Sequence, residues 1–174
     1  MLSLSALAGW EEAVLASIRG TSGTLEERDR QIERSGLYGE YPAIVRAYLE
    51  LVEDEGSALE AVKRAVFLVW RGAMAPPMET GIGPLPDGTS RGAMEQLDHL
   101  LRHGAADDEL AWMLAWYYGE GSHVFELFGA TGRVVALAEG SPPDAWRRIE
   151  IVTDSMRRRG QLGVYWGSLA AGAT

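Results

Sequence analysis

His99 and His103 stand four residues apart, the spacing at which one helix face offers two imidazoles to a metal ion. Glu95 lies one turn before them. Counted around a helix, this row points away from Leu97 and Leu101, towards solvent, and no further ligand suggests itself. No metal and no cofactor are therefore expected. The chain has no cysteine, which removes thiolate ligands, disulfides and cysteine nucleophiles together. Glu120, Ser122 and His123 fall close together in "YGEGSHVF". Adjacent Ser and His cannot form a triad by themselves, because the base must approach the hydroxyl from elsewhere in the fold. No G-x-S-x-G elbow is present. Arg157, Arg158 and Arg159 form the one basic run and could grip a phosphate or an acidic peptide. They also precede Gly160, where cations complement the carbonyl end of a helix, and that structural reading is preferred. No set of catalytic residues can be assembled.

The stretch "WRGAMAPPMETGIGPLPDGTS", Trp70 to Ser90, raises a different chemistry. Gly81-Ile82-Gly83 invites comparison with a phosphate-gripping loop. Such a loop needs a preceding strand and a glycine opening a helix, whereas Pro84 and Pro86 follow here and remove backbone N–H donors. What remains is a stiff connecting loop over 75–89 that presents Glu79 and Thr80. It is read first as a connector and second as the wall of a ligand pocket.

The segment "LAWMLAWYY" is the most informative. Leu110, Met113, Leu114 and Tyr117 make one apolar helix face, and Trp112 and Trp116 point to the other side, one turn apart. Such a helix is either buried all round or uses its second face for a partner. Burial under the C-terminal segments is the preferred reading. The stretch running on to "GEGS" is locally similar to the Sel1-type subset of tetratricopeptide-like repeats, which share an aromatic pair before Gly-x-Gly. The similarity is confined to this single stretch, lacks the flanking pattern and assigns no family.

These residues must be positioned by helices, because the periodicity is helical almost throughout. Leu7, Trp10, Val14, Leu15 and Ile18 hold helical phase in a first helix that Gly20 stops. Thr24 with Glu27, and Ser57 with Glu60, read as capping boxes. Ala65 to Trp70 is apolar on every side, so a strand competes there with a buried central helix, and the surrounding phase favours the helix. Two pairs with short Gly-containing links suggest antiparallel hairpins: Pro42–Glu55 with Ala58–Met74, and Arg91–His103 with Asp108–Tyr118. Beyond them, "HVFELFG", "GRVVALAEG" and "SPPDAWRRIEIV" read as short helices, and "TDSMRRRG" as a last regular turn. The tail 160–174 reads as irregular, tied down by Val164, Tyr165 and Trp166.

The expected fold is all-α: one irregular domain over 1–174, with six to nine helices built on two hairpins. The net charge of −9 disfavours nucleic acid and anionic membrane, and no apolar run is long enough to span a bilayer. Without a signal-like start, a cytoplasmic location is expected. Of 16 basic residues all but Lys63 are Arg, which fits a GC-rich bacterial source. The expected function is a non-catalytic protein-interaction or self-association module using Trp112 and Trp116. The alternative is an enzyme or small-molecule binder with a pocket closed by the 74–88 loop.

Overall fold

A computed structural model describes residues 2–148 and 156–172. Among them all regular structure is helical. The α-helices are α1 (Leu4–Arg19), α2 (Leu25–Arg34), α3 (Glu40–Glu50), α4 (Ala58–Met74), α5 (Pro77–Thr80), α6 (Asp87–Arg102), α7 (Asp108–Leu127), α8 (Gly132–Glu139) and α9 (Gly160–Gly172). Short 3-10 turns cover Leu37–Gly39, Leu51–Glu53 and Ala145–Arg148. No described helix is long and apolar enough to cross a membrane.

Side-chain caps explain three of the helix starts. Ser3 accepts the Ala6 N–H at the head of α1, and Asp107 accepts that of Leu110 at the head of α7. Thr24 and Glu27 form the full reciprocal capping box of α2. The second expected box does not form. Ser57 has helical rather than extended backbone angles and makes no side-chain cap, and the Glu60 carboxylate pairs instead with Arg64 and Arg159.

α4 is the centre of the molecule. Every residue from Ala61 to Trp70 is buried, the charged Lys63 and Arg64 included. Ala65–Trp70 is therefore helical, and its all-round apolarity reflects neighbours on all sides. α3 and α4, the first expected pair, pack on one another. The second hairpin is corrected. α6 and α7 barely touch; α6 packs on α4 and α3, and α7 on α8 and α4. Each apolar stripe is satisfied by the central helix, so the two do not need each other.

Two further expectations change. "HVFEL" continues α7 after a break at Gly121, where a side chain would strike the Met74 sulfur. The tail 160–174 is not irregular: Gly160–Gly172 forms α9, with Gln161, Leu162, Gly163 and Trp166 buried. Its glycines disfavour a helix by roughly 1 kcal/mol each, yet close packing needs Gly160 and Gly163 small. A Cβ on Gly163 would run into the Met156 carbonyl oxygen. The expected final turn over "TDSMRRRG" lies partly outside the described residues.

The 75–89 connector is shorter than expected, because α5 occupies its first half and α6 begins at Asp87. Gly81 caps α5 with φ +73°, and a Cβ there would enter the space of Ile18 Cδ1. The glycines of "TGIG" let the loop lie flat on α1 and on the Tyr38 backbone. Gly81→Ala combines backbone strain with overpacking and should cost about 2–3 kcal/mol. The melting temperature should fall by roughly 4–10 °C in a domain of this size. Gly9→Ala, on the open face of α1, should raise stability by about 0.5–1 kcal/mol, and thermal denaturation of the two variants checks both signs.

Candidate functional site

α9 is fixed by polar contacts that few helical cores contain. Glu11, on the inner face of α1 and 1% exposed, accepts the Tyr48 hydroxyl at 2.6 Å and the Gln161 backbone N–H at 2.8 Å. Gly160, at φ +60°, leaves room for that carboxylate, which a Cβ would displace. Burial pushes the Glu11 carboxyl up to about 7, although the bonds from Tyr48 and Gln161 and the charge of Arg64 oppose the shift. Gln161 also sends its side-chain amide to the Tyr41 hydroxyl and to the Thr80 carbonyl oxygen, the latter at 2.6 Å.

Beside this, Arg159 reaches across to α4 and α7. It donates to both Glu109 oxygens at 2.8 and 2.9 Å and to Glu60. Lys63 holds Glu109 from the other side at 2.7 Å and Asp107 at 2.6 Å. Burial works against ionised Glu109, but the bonds from Arg159 and Lys63 outweigh it and hold the carboxyl below its usual range. Of the basic run, Arg159 is thus a structural clamp, while Arg157 and Arg158 are exposed.

The tryptophan pair lies under the C-terminal helix. Trp112 is 5% exposed and meets the Trp166 ring edge-on at 4.6 Å. Trp116 is half-buried, donates its indole N–H to the Tyr165 hydroxyl at 2.7 Å and packs against Trp146 and Trp166. Both residues therefore pack against α9, Trp112 buried and Trp116 half-buried.

Glu79 and Thr80 do border a concavity. Between α1, α4, α5 and α9 lies a cleft of about 150 Å³, lined by Arg19, Arg71, Glu79, Thr80, Gln161 and Tyr165, with Leu15, Phe67, Val164 and Ser168 completing its wall. The Arg71 guanidinium lies over the Tyr165 ring, 5.4 Å from its centroid. Among the described residues, neither Arg19, Arg71 nor Glu79 makes a hydrogen bond or ion pair through its side chain. Thr80 is buried and structural: its hydroxyl accepts the Ile82 N–H.

A second depression, about 250 Å³ and mainly apolar, lies between α2 and α5. Leu25, 66% exposed, forms it with Pro76, Pro77 and Met78, and Glu26 and Asp29 rim it.

The remaining sequence candidates stay apart from both. His99 and His103 are exposed with ring centroids 4.4 Å apart. The His103 Nδ1–H donates to the His99 carbonyl at 2.8 Å. Among the described residues no group of three or more His, Asp or Glu side chains is placed to hold a metal ion. Glu120, Ser122 and His123 are all exposed near the α7 break. Sequence reasoning missed Arg19, Arg71, Gln161 and Tyr165. The loop that holds Glu79 was visible, but not which helices would face it.

The Glu11 shift sets a pH dependence with a definite sign. Below its ordinary value of 4.5 the carboxyl is protonated in folded and unfolded chains alike and imposes no penalty. As pH rises from 4.5 to about 7 the unfolded chain ionises first, so this group's contribution to stability falls, by an amount on the order of 3 kcal/mol above that window. Glu11→Gln should remove that component. Urea unfolding at pH 5 and pH 8 should show a smaller loss of stability for the variant than for the parent chain, and equal losses would contradict the assignment.

No protein-family model, curated protein or solved structure matches this chain, so its function has to follow from its own side chains.

Proposed function

We propose that the chain is a non-catalytic binding module and that its binding surface is the Arg71–Glu79 cleft. One observation carries this reading: Arg71 is half-buried and oriented on an aromatic ring, yet its guanidinium donates to no described residue. Five donors held in a fixed plane and left unused suit a carboxylate or similar anion. Binding is favoured over turnover because no imidazole lines the cleft, and the Ser168 hydroxyl donates to the Tyr165 carbonyl and has no base beside it. This reading takes the pocket alternative over the tryptophan surface, since Trp112 and Trp116 are engaged by α9.

A protein-interaction role is a second reading, favoured by the Leu25 groove. Its occupant would be a partner segment with an aliphatic side chain flanked by Lys or Arg, because acidic Glu26 and Asp29 rim an apolar floor on a chain of net charge −9.

Propionate, a small carboxylate, tests the first reading. At ten times its Kd it should stabilise the fold by about 1.4 kcal/mol, a rise of roughly 3–5 °C in melting temperature. Arg71→Leu should remain folded and lose that rise; an unchanged rise in this variant would place the anion elsewhere. For the second reading, a synthetic Lys-Leu-Leu-Lys peptide should bind by fluorescence anisotropy. Leu25→Asp should abolish that binding while stability changes by no more than about 0.5 kcal/mol. Peptide binding that persists in this variant would rule the groove out.

A further inference from the structure

The cleft carries opposite charges that do not neutralise each other. Arg19 and Arg71 stand on α1 and α4, and Glu79 stands on α5. An Arg and a Glu lining one small cavity would ordinarily pair, because the guanidinium fork matches a carboxylate. Here neither arginine forms an ion pair with Glu79, and none of the three pairs with any other described residue. Cationic and anionic side chains, with Arg19 and Glu79 exposed and Arg71 half-buried, thus line one cleft without pairing.

The floor adds a third polar group whose orientation is determined. The Thr80 carbonyl can only accept, so the Gln161 atom facing it at 2.6 Å must be the amide nitrogen. The same nitrogen serves the Tyr41 hydroxyl. The Gln161 side-chain oxygen accepts from no described residue and is left to the cleft. The lining therefore offers acceptors, from Glu79 and Gln161, together with the Arg71 donors, and Leu15, Phe67 and Val164 add apolar surface.

The cleft is small, about 150 Å³, and partly open to solvent, which suits a ligand of a few heavy atoms better than a large one. A phosphate dianion suits the site poorly, because it would lie against the Glu79 carboxylate. We propose that the cleft binds a small zwitterion of the α-amino-acid class. Its carboxylate lies on Arg71, with Arg19 at the rim, its ammonium group lies on Glu79 and the Gln161 oxygen, and its side chain meets the apolar wall. The proposal rests on the cleft being the binding surface and adds the charge pattern of the ligand.

The test is titration calorimetry of the full chain with L-alanine, propionate and ethylamine, which present both charges, the carboxylate alone and the ammonium alone. Alanine should bind at least tenfold more tightly than propionate, and ethylamine more weakly than either. Glu79→Gln should bring alanine down to the level of propionate and leave propionate no weaker. Arg71→Leu should lose both, with helicity by circular dichroism unchanged. If alanine and propionate bind the parent chain equally and Arg71→Leu loses both, the zwitterion assignment is overturned and the cleft remains an anion site. If neither binds, or if Arg71→Leu binds both as well as the parent chain does, the cleft reading falls with it.

Discussion

The contact between Glu11 and the backbone N–H of Gln161 joins the two ends of the described chain. It lies in the interior, where an unpaired carboxylate would be strongly disfavoured. α9 supplies Gln161, Val164, Tyr165 and Ser168 to the cleft and Trp166 to the aromatic packing. Without α9 docked on α1 there is no cleft, and Trp112 loses its cover. The geometry that permits docking is narrow, because Gly160 must leave space for the carboxylate and Gly163 must leave space for the Met156 carbonyl.

Charge within the core follows from the same architecture. From Ala61 to Trp70 α4 is surrounded, so the polar residues of that stretch cannot reach solvent by choosing a face. Lys63 and Arg64 instead meet Asp107, Glu109 and Glu60, and Arg159 closes the group from the C-terminal side. Desolvating these ions is costly, and breaking one member of such a buried set typically destabilises by about 3–5 kcal/mol. Their contribution lies less in net stability than in registry: carboxylates from α4 and α7 have to converge where Arg159 arrives, and that convergence fixes how α9 begins.

Helix phase was legible wherever a helix kept an apolar stripe beside exposed polar positions, as in α1, α3 and α6, and the Thr24 box marked α2 correctly. The α6–α7 pairing was not legible, because periodicity shows which face is buried and not which helix buries it. Ser57 and Glu60 have the spacing of a cap, but a distant arginine competes for the same carboxylate. α9 was hidden by its glycines, whose low helix propensity is overridden by packing 150 residues away in sequence. Of the cleft, Glu79 and Thr80 were accessible from the unusual loop. Arg71, near the end of α4, and Gln161 carried no signal of a site. The clearest unused clue was Glu11, a carboxylate in phase with Leu7, Val14, Leu15 and Ile18, where an acidic side chain requires a buried partner.

The aromatic packing around α9 also makes the molecule its own optical probe. Trp112, Trp116, Trp146 and Trp166 lie with neighbouring ring centroids 4.6 to 6.3 Å apart, and Trp70 joins them through Tyr165. Rings so close and so differently oriented couple their electronic transitions, and excitation passes readily among them. Trp10, hydrogen-bonded to Glu40 at 2.8 Å, stands apart from that group. The near-ultraviolet dichroism and the emission colour of the chain therefore report chiefly on whether the C-terminal helix is seated, and only weakly on the α1–α3 side.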